Sequence, residues 1–198
     1  VLKAIPVFLY CITSYLVFIF TKKLFKDLSL ACCCALSFFL LPSVSLSSFL
    51  LSTDILLIFF WVCALIYVLN IKERPTYYNF FCLGFFLGLA FLAKYAAIYF
   101  IISLIFLVVI EKEFRLVFAQ SKFKLLLSLI IALIILLPNM LWNSQFEWIT
   151  LSHTIENASL NKTQVNFKGF FEFLVSQIIM IGPLLFFGFL FFSYKKIK

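Results

Sequence analysis

Apolar residues run through this chain in long blocks rather than in alternation. Charged residues cut the 198 positions into seven uncharged runs, 4–21, 28–53, 55–71, 75–93, 95–110, 125–146 and 173–194. Each is 16 to 26 residues long, close to the ~20 that an α-helix needs to cross a bilayer. Continuous runs without period-two alternation exclude an outer-membrane barrel. The pattern predicts an all-α, polytopic transmembrane helical bundle of about seven spans, forming a single membrane domain over 1–198. Between Leu28 and Ile71 the one charge is Asp54. A single helix over that stretch would be roughly 66 Å long, twice the hydrocarbon thickness. The chain must therefore turn near Ser52-Thr53-Asp54 and carry a carboxylate at the tip of the hairpin. An aspartate costs about 2.5–3.5 kcal/mol at mid-bilayer and less near an interface, so its presence asks for a reason. Two are open: an N-cap for the helix that begins at Ile55, or a place in a site.

Composition agrees with the pattern. The chain is 65% hydrophobic with a mean hydropathy of +1.17, 29 Phe and 12% charged residues, more apolar surface than a soluble domain of this size requires. Basic residues then orient the bundle. Strict alternation with Lys22-Lys23 inside gives cytoplasmic segments 22–27, 72–74, 111–124 and 195–198, which hold 12 of the 16 Lys and Arg, while the acidic residues split four and four. The net charge of +8 is thus a topology signal of the positive-inside kind. It is scattered over short loops and speaks against a nucleic-acid partner. The six cysteines lie inside apolar runs without zinc-ligand spacing and predict neither a disulfide nor a metal site. The excess of Phe, Ile, Lys and Asn favours a bacterial source. The chain opens at Val1 almost directly into a span and ends just after the seventh run, which predicts a piece of something longer, incomplete at its N-terminus and also at its C-terminus.

With this topology three places face outward: Ser52-Thr53-Asp54, Lys94-Tyr95, and a longer loop over 143–168. Loops of that length are usually functional. Its entry ends a span at Pro138 and sets Trp142, Asn143 and Trp148 near the interface; an aromatic belt accounts for the tryptophans as well as a binding role does. Lys94 is open to snorkelling or to ligand contact. Asp54 and Lys94 nevertheless fall independently on the same face, and an acid and a base beside an aromatic-rich loop suit a substrate that carries a phosphate. Trp61, two helical turns after Asp54, reads as packing. His153 and Glu156 are three apart in the loop, too few for a metal site. The sequons at Asn157 and Asn161 are frequent chance matches.

Three stretches resemble the bacterial relatives of glycosyltransferase family 39, the membrane enzymes related to dolichyl-phosphate-mannose protein mannosyltransferases. Residues 52–61, Ser-Thr-Asp-Ile-Leu-Leu-Ile-Phe-Phe-Trp, resemble the family's Thr-Thr-Asp-x-Pro-Leu-Leu-Phe-Phe-Trp. Residues 88–97, Gly-Leu-Ala-Phe-Leu-Ala-Lys-Tyr-Ala-Ala, resemble Gly-Leu-x-x-Leu-Ser-Lys-Tyr-Thr-Ala. Residues 138–148 resemble Pro-x-x-x-Trp-Asn-x-x-x-x-Trp, and Gln177 and Pro183 fall where a Gln and a Pro recur. The likeness departs at Ile55-Leu56, where the family has its proline, and at Ala93, where it has Ser.

The resemblance implies a GT-C architecture with its active side extracytoplasmic, in the bacterial inner (cytoplasmic) membrane. It implies transfer of a sugar from a polyprenyl-phosphate donor to a lipid, glycan or protein acceptor, among membrane lipids. By that likeness Asp54 belongs to the catalytic region and Lys94 contacts the carrier phosphate. Tyr95, Trp142, Asn143, Trp148 and Lys3 line the substrate site, Lys3 standing where relatives often have Arg. The family's general base, an Asp in a first outer loop followed by Pro-Pro, would precede Val1. No cofactor is implied with certainty; a divalent cation fits the chemistry but no ligand set indicates one. Two other readings stay open: a transporter or lipid flippase, which would place polar groups near the midplane and in repeated halves, and a non-catalytic membrane partner or fragment.

Overall fold

The computed structural model describes residues 4–47, 52–150, 152, 167–182 and 185–187, the side chain of Lys168 excepted. The described elements are α1 (Ala4–Phe25), α2 (Leu28–Leu40), α3 (Pro42–Ser47), α4 (Thr53–Glu73), α5 (Tyr77–Ala93), α6 (Ile98–Ile110), α7 (Lys112–Gln120), α8 (Lys122–Gln145) and α9 (Phe167–Ile181), with a short 3₁₀ turn Tyr95–Ala97 between α5 and α6. Among the described residues there is no strand, so the all-α class holds. The described part of each uncharged run is largely helical. Among the described residues α1, α4 and α8 are long and apolar enough to cross a membrane by themselves, or four spans if α6 and α7 are counted as one bent unit, so the expected seven spans are supported in part.

The shortening has local causes. Run 28–53 breaks at Leu41, which is extended (φ −55°, ψ 128°) because the ring of Pro42 disfavours helix in the residue before it. Pro42 then opens α3, where its missing N–H costs nothing. The run 75–93 loses its start to Pro75, and Thr76 caps α5 by accepting the Asn79 N–H at 3.3 Å. Lys26 turns the chain between α1 and α2 with φ 58°, its N–H on the Lys22 carbonyl, and Asp27 caps α2 through the Leu30 N–H at 3.0 Å.

Contacts at the helix ends fix the directions. Lys23 Nζ meets Glu73 at 2.7 Å, so α1 and α4 end together. Lys94 meets Asp54, so α5 returns to where α4 began, and the Lys124 ammonium on the Pro75 carbonyl starts α8 beside the α4–α5 turn. One end of the bundle therefore gathers Asp54, Lys94 and the C-terminus of α8; the other gathers Lys22, Lys23, Lys72 and α7. This matches the relative placement read from the charges.

The frame between the ends is α5 packed against α4 and α8. Gly84 and Gly88 let α8 approach closely: a Cβ on Gly84 would lie 2.2 Å from the Ser128 carbonyl oxygen, and one on Gly88 2.9 Å from Ile135 Cβ. Such small-xxx-small spacing replaces the hydrophobic drive that helices lack in lipid with close van der Waals contact. It escaped the reading by runs, which treats Gly as merely uncharged. α7 escaped it too. It turns 105° from α6 and buries Phe114 and Phe118, one helical turn apart, against Ala64, Val68, Ile71, Phe80 and Leu83. Burial stabilises by about 1.5–3 kcal/mol per such ring where the alternative is water. Exposed Ile105, Phe106, Leu133 and Ile134 leave α6 and α8 an apolar outer face suited to lipid.

Candidate active site

Asp54 stands in the first turn of α4. Ser52, extended at φ −121° and ψ 146°, accepts the Asp54 N–H on Oγ at 3.1 Å and donates the same hydroxyl to Asp54 Oδ2 at 2.9 Å. The N-cap is thus Ser52, one of the two reasons weighed for Asp54 falls to its neighbour, and the aspartate is left with a free oxygen. That oxygen, Oδ1, accepts from Lys94 Nζ at 2.6 Å, with each side chain 47% exposed. Lys94 can reach it because α5 stops there: Lys94 is extended at φ −163°, and its N–H still closes the last turn on the Ala90 carbonyl at 3.0 Å. Carboxylate and ammonium are brought together across 40 residues by two helix termini that face each other. A lysine keeps further N–H donors beyond the one spent on Asp54, and half-exposure leaves them reachable by an anionic ligand.

A second polar layer begins at the next residue. The Tyr95 hydroxyl donates to Asn139 Oδ1 at 2.9 Å and accepts from Asn143 Nδ2 at 3.2 Å. Asn143, 1% exposed, also donates to the Asn139 carbonyl at 3.0 Å and accepts the Thr150 N–H on Oδ1 at 3.3 Å. Its own carbonyl takes the N–H of Phe146 at 3.2 Å and of Trp148 at 2.9 Å. A buried side-chain amide with both ends used is favourable, whereas a half-used one costs about 1–3 kcal/mol. The amide ties the 3₁₀ turn, the end of α8 and the start of the following loop into one unit. Glu147 and Trp148 leave α8 at φ 52° and 57°, a left-handed exit that costs about 1–2 kcal/mol per non-glycine residue and is offset in part by those carbonyl contacts. Trp142 and Trp148 remain about half exposed at 48% and 47%, Trp142 packed on the Phe146 ring at 4.7 Å.

Below the ion pair, Leu57, Ala90 and Ala97 close a small core with Trp61 against it. Trp61 packs on Phe100 at 6.3 Å, and its buried indole N–H has no partner among the described residues. On the other flank of α4, Ile5, Pro6, Leu9, Ser52, Thr53, Ile55 and Leu56 line an open, mostly apolar cavity of about 270 Å³.

Of the residues singled out in the sequence, Asp54, Lys94, Tyr95 and Asn143 form two adjoining clusters, and Trp142 and Trp148 flank the second at the end of α8. Lys3, His153, Glu156, the two sequons and Pro183 lie outside the described residues, as does most of the loop expected over 143–168, which α8 enters as far as Gln145. Gln177 sits half-buried on α9. Asn139 and Ser52 join the site through their hydrogen bonds, and Asn139 is legible in the sequence because it lies four residues before Asn143 on the same helix face. Among the described residues no three His, Cys, Asp or Glu side chains come together as a metal-ligand group.

Comparison with known proteins bears on the same residues. The family described as dolichyl-phosphate-mannose-protein mannosyltransferase matches over residues 3–142, a stretch that contains Asp54, Lys94, Tyr95, Asn139 and Trp142. The lipid A galacturonosyltransferase RgtD of Rhizobium johnstonii is 30% identical over 158 residues, which is 80% of this chain and 33% of that protein. The chain thus spans about a third of the length of this relative. No solved structure matches it.

Proposed function

The chain belongs to the dolichyl-phosphate-mannose-protein mannosyltransferase family, and from that premise we propose that it forms part of the catalytic centre of a multi-pass membrane glycosyltransferase. In this reading a sugar passes from a polyprenyl-phosphate donor to a lipid, glycan or protein acceptor at the extracytoplasmic face of a bacterial inner membrane. The observation that carries it is the half-exposed Lys94–Asp54 pair at 2.6 Å.

The chemistry asks for two things. The acceptor hydroxyl must lose its proton as its oxygen bonds to the anomeric carbon, and the polyprenyl phosphate must leave with the electron pair of the broken C–O bond. Positive charge placed where that negative charge develops is the larger aid, and Lys94 supplies it with the donors Asp54 does not use. Asp54 holds the ammonium in position and orients the acceptor hydroxyl; in the family likeness the proton itself goes to an aspartate of the first outer loop. Tyr95 and the buried Asn143 keep Lys94 at the end of α5, and Trp142 and Trp148 offer apolar faces to a sugar ring or a prenyl chain. The relative's name adds one direction: its acceptor is lipid A, so a glycolipid acceptor is the first to try here. Lys3 joins the donor-phosphate contacts in this reading.

The test is transfer by the full-length protein from a lipid-linked sugar to a glycolipid acceptor, comparing wild type with Asp54→Asn and Lys94→Ala. Loss of turnover in both supports the reading. Unchanged turnover in both sinks the assignments.

A further inference from the structure

α7 lies across the basic end of the bundle rather than along it. It leaves α6 at 105°, keeps Phe114 and Phe118 in the core, and turns Lys112, Arg115 and Leu116 outward. Just past its end Phe123, 83% exposed, stands between Lys122, also exposed, and Lys124, which is turned onto the Tyr77 ring. Lys72–Glu113 and Lys23–Glu73, both at 2.7 Å, draw the ends of α4 and α1 to the same place.

Charge there is strongly one-sided. Among the described residues nine basic side chains, at positions 22, 23, 26, 72, 74, 112, 115, 122 and 124, share this end with four acidic ones. Glu73 and Glu113 are already paired, Asp27 caps α2, and Glu111 is the fourth. Among the described residues Lys26, Arg74, Lys112, Arg115 and Lys122 make no ion pair with a carboxylate. Topological bias accounts for the sign of this charge. It does not require Leu116 beside Arg115, or Phe123 beside Lys122, on exposed surface. Apolar side chains interleaved with cations are what an in-plane helix presents at the membrane boundary, the former at acyl depth and the latter at phosphate depth.

We propose that α7 and the first turn of α8 form a binding surface for the phosphate headgroups of anionic phospholipids in the leaflet at the basic end of the bundle. The experiment is native mass spectrometry of the full-length protein released from micelles holding equal phosphatidylglycerol and phosphatidylcholine. Wild type retains the anionic lipid preferentially. K112Q/R115Q/K122Q lowers the ratio of anionic to zwitterionic lipid by roughly fivefold per charge removed, and single Arg115→Gln and Lys122→Gln variants show the one-charge step. Equal retention of both lipids by wild type, or an unchanged ratio in the triple variant, overturns the proposal. So does an equal loss in Lys94→Ala, which would move the lipid to the other end. Excess glycerol phosphate leaves the ratio as it was; its displacement of the lipid would make a free phosphate the ligand and overturn the surface as a lipid site.

Discussion

The two ends of the bundle use the same chemical pair for different ends. At the basic end Lys23–Glu73 and Lys72–Glu113 close at 2.7 Å; at the other, Lys94–Asp54 closes at 2.6 Å. Distance does not distinguish them, and neither does exposure, since all three pairs are partly open to solvent. Surroundings do. At the basic end carboxylates are outnumbered, and Glu73 has Lys26 and Arg74 within electrostatic reach besides Lys23. At the site end Lys94 is the one described cation facing Asp54, and that aspartate is also held by Ser52. Behind the pair stands a buried amide network at the site end, and a cluster of phenylalanines at the basic end. An ion pair set among spare cations fastens helices, whereas one whose described surroundings hold no second cation sets the position of a charge.

The sharpest way to break this contrast is at Lys94 and Asp54. Lys94→Ala and Asp54→Asn are each expected to lower kcat by about 10²–10³-fold, the range seen when one preorganised stabiliser of developing charge is removed. Because the two residues act as a unit, the double variant should fall little further than the worse single one. Steady-state transfer assays on the three proteins check it, and independent, multiplying losses would show that the pair seen at rest is not used as a pair.

Next in size is the frame that holds the ends in register. Gly84→Ala puts a methyl 2.2 Å from the Ser128 carbonyl, which backbone must move to relieve. We expect about 1–3 kcal/mol of destabilisation and a loss at both ends together. Thermal melting in detergent measures the first, and transfer activity with lipid retention measures the second. Gly88→Ala meets the Ile135 side chain at 2.9 Å, which can turn aside, and should cost less.

Much of this was readable from charge alone. Uncharged runs mark where helix forms among the described residues, and the bias of Lys and Arg alone places Asp54 and Lys94 at one end. What escaped has a common physical reason: run length records the absence of charge and is blind to backbone. Pro42 halves a 26-residue run that contains no charge to betray the break. Gly84 and Gly88 set the α5–α8 approach through the lack of a side chain. The segment 111–124 carries enough charge to look like a loop, although Phe114 and Phe118 recur at helical spacing. At the site, the residue types were legible and the bonds were not. Asn143 stood out beside Trp142, but that its amide would be 1% exposed and satisfied by Tyr95, Asn139 and Thr150 follows only from where α8 lies against the 3₁₀ turn.

Asn143 separates positioning from contact. Asn143→Leu keeps the branched shape, removes the amide and leaves the Tyr95 hydroxyl and the Thr150 N–H short of a partner. The expected cost is about 1–3 kcal/mol in stability, with kcat falling more than KM rises, because Lys94 would be less well held while the surface met by substrate is unchanged. A loss confined to KM would instead make the amide a direct ligand contact. Tyr95→Phe, which keeps the ring and drops the hydroxyl, should reproduce the direction of the effect at smaller size.

The smallest expected effect lies at the other end and completes the contrast. Glu73→Gln removes the acceptor of Lys23 on surface where cations are in excess and water replaces the lost bond. Exposed pairs of this kind are worth about 0–1 kcal/mol, so melting should shift little and transfer activity should be indistinguishable from wild type. Raising salt should erase whatever small shift remains, since exposed charges are screened within about 8–10 Å at physiological ionic strength. Asp54→Asn, a chemically identical change on a pair of nearly identical length, should behave in the opposite way: a modest change in melting and a large one in turnover. If both substitutions moved stability alike and neither moved turnover, the two ends would be equivalent fasteners, and the difference drawn from their surroundings would be wrong.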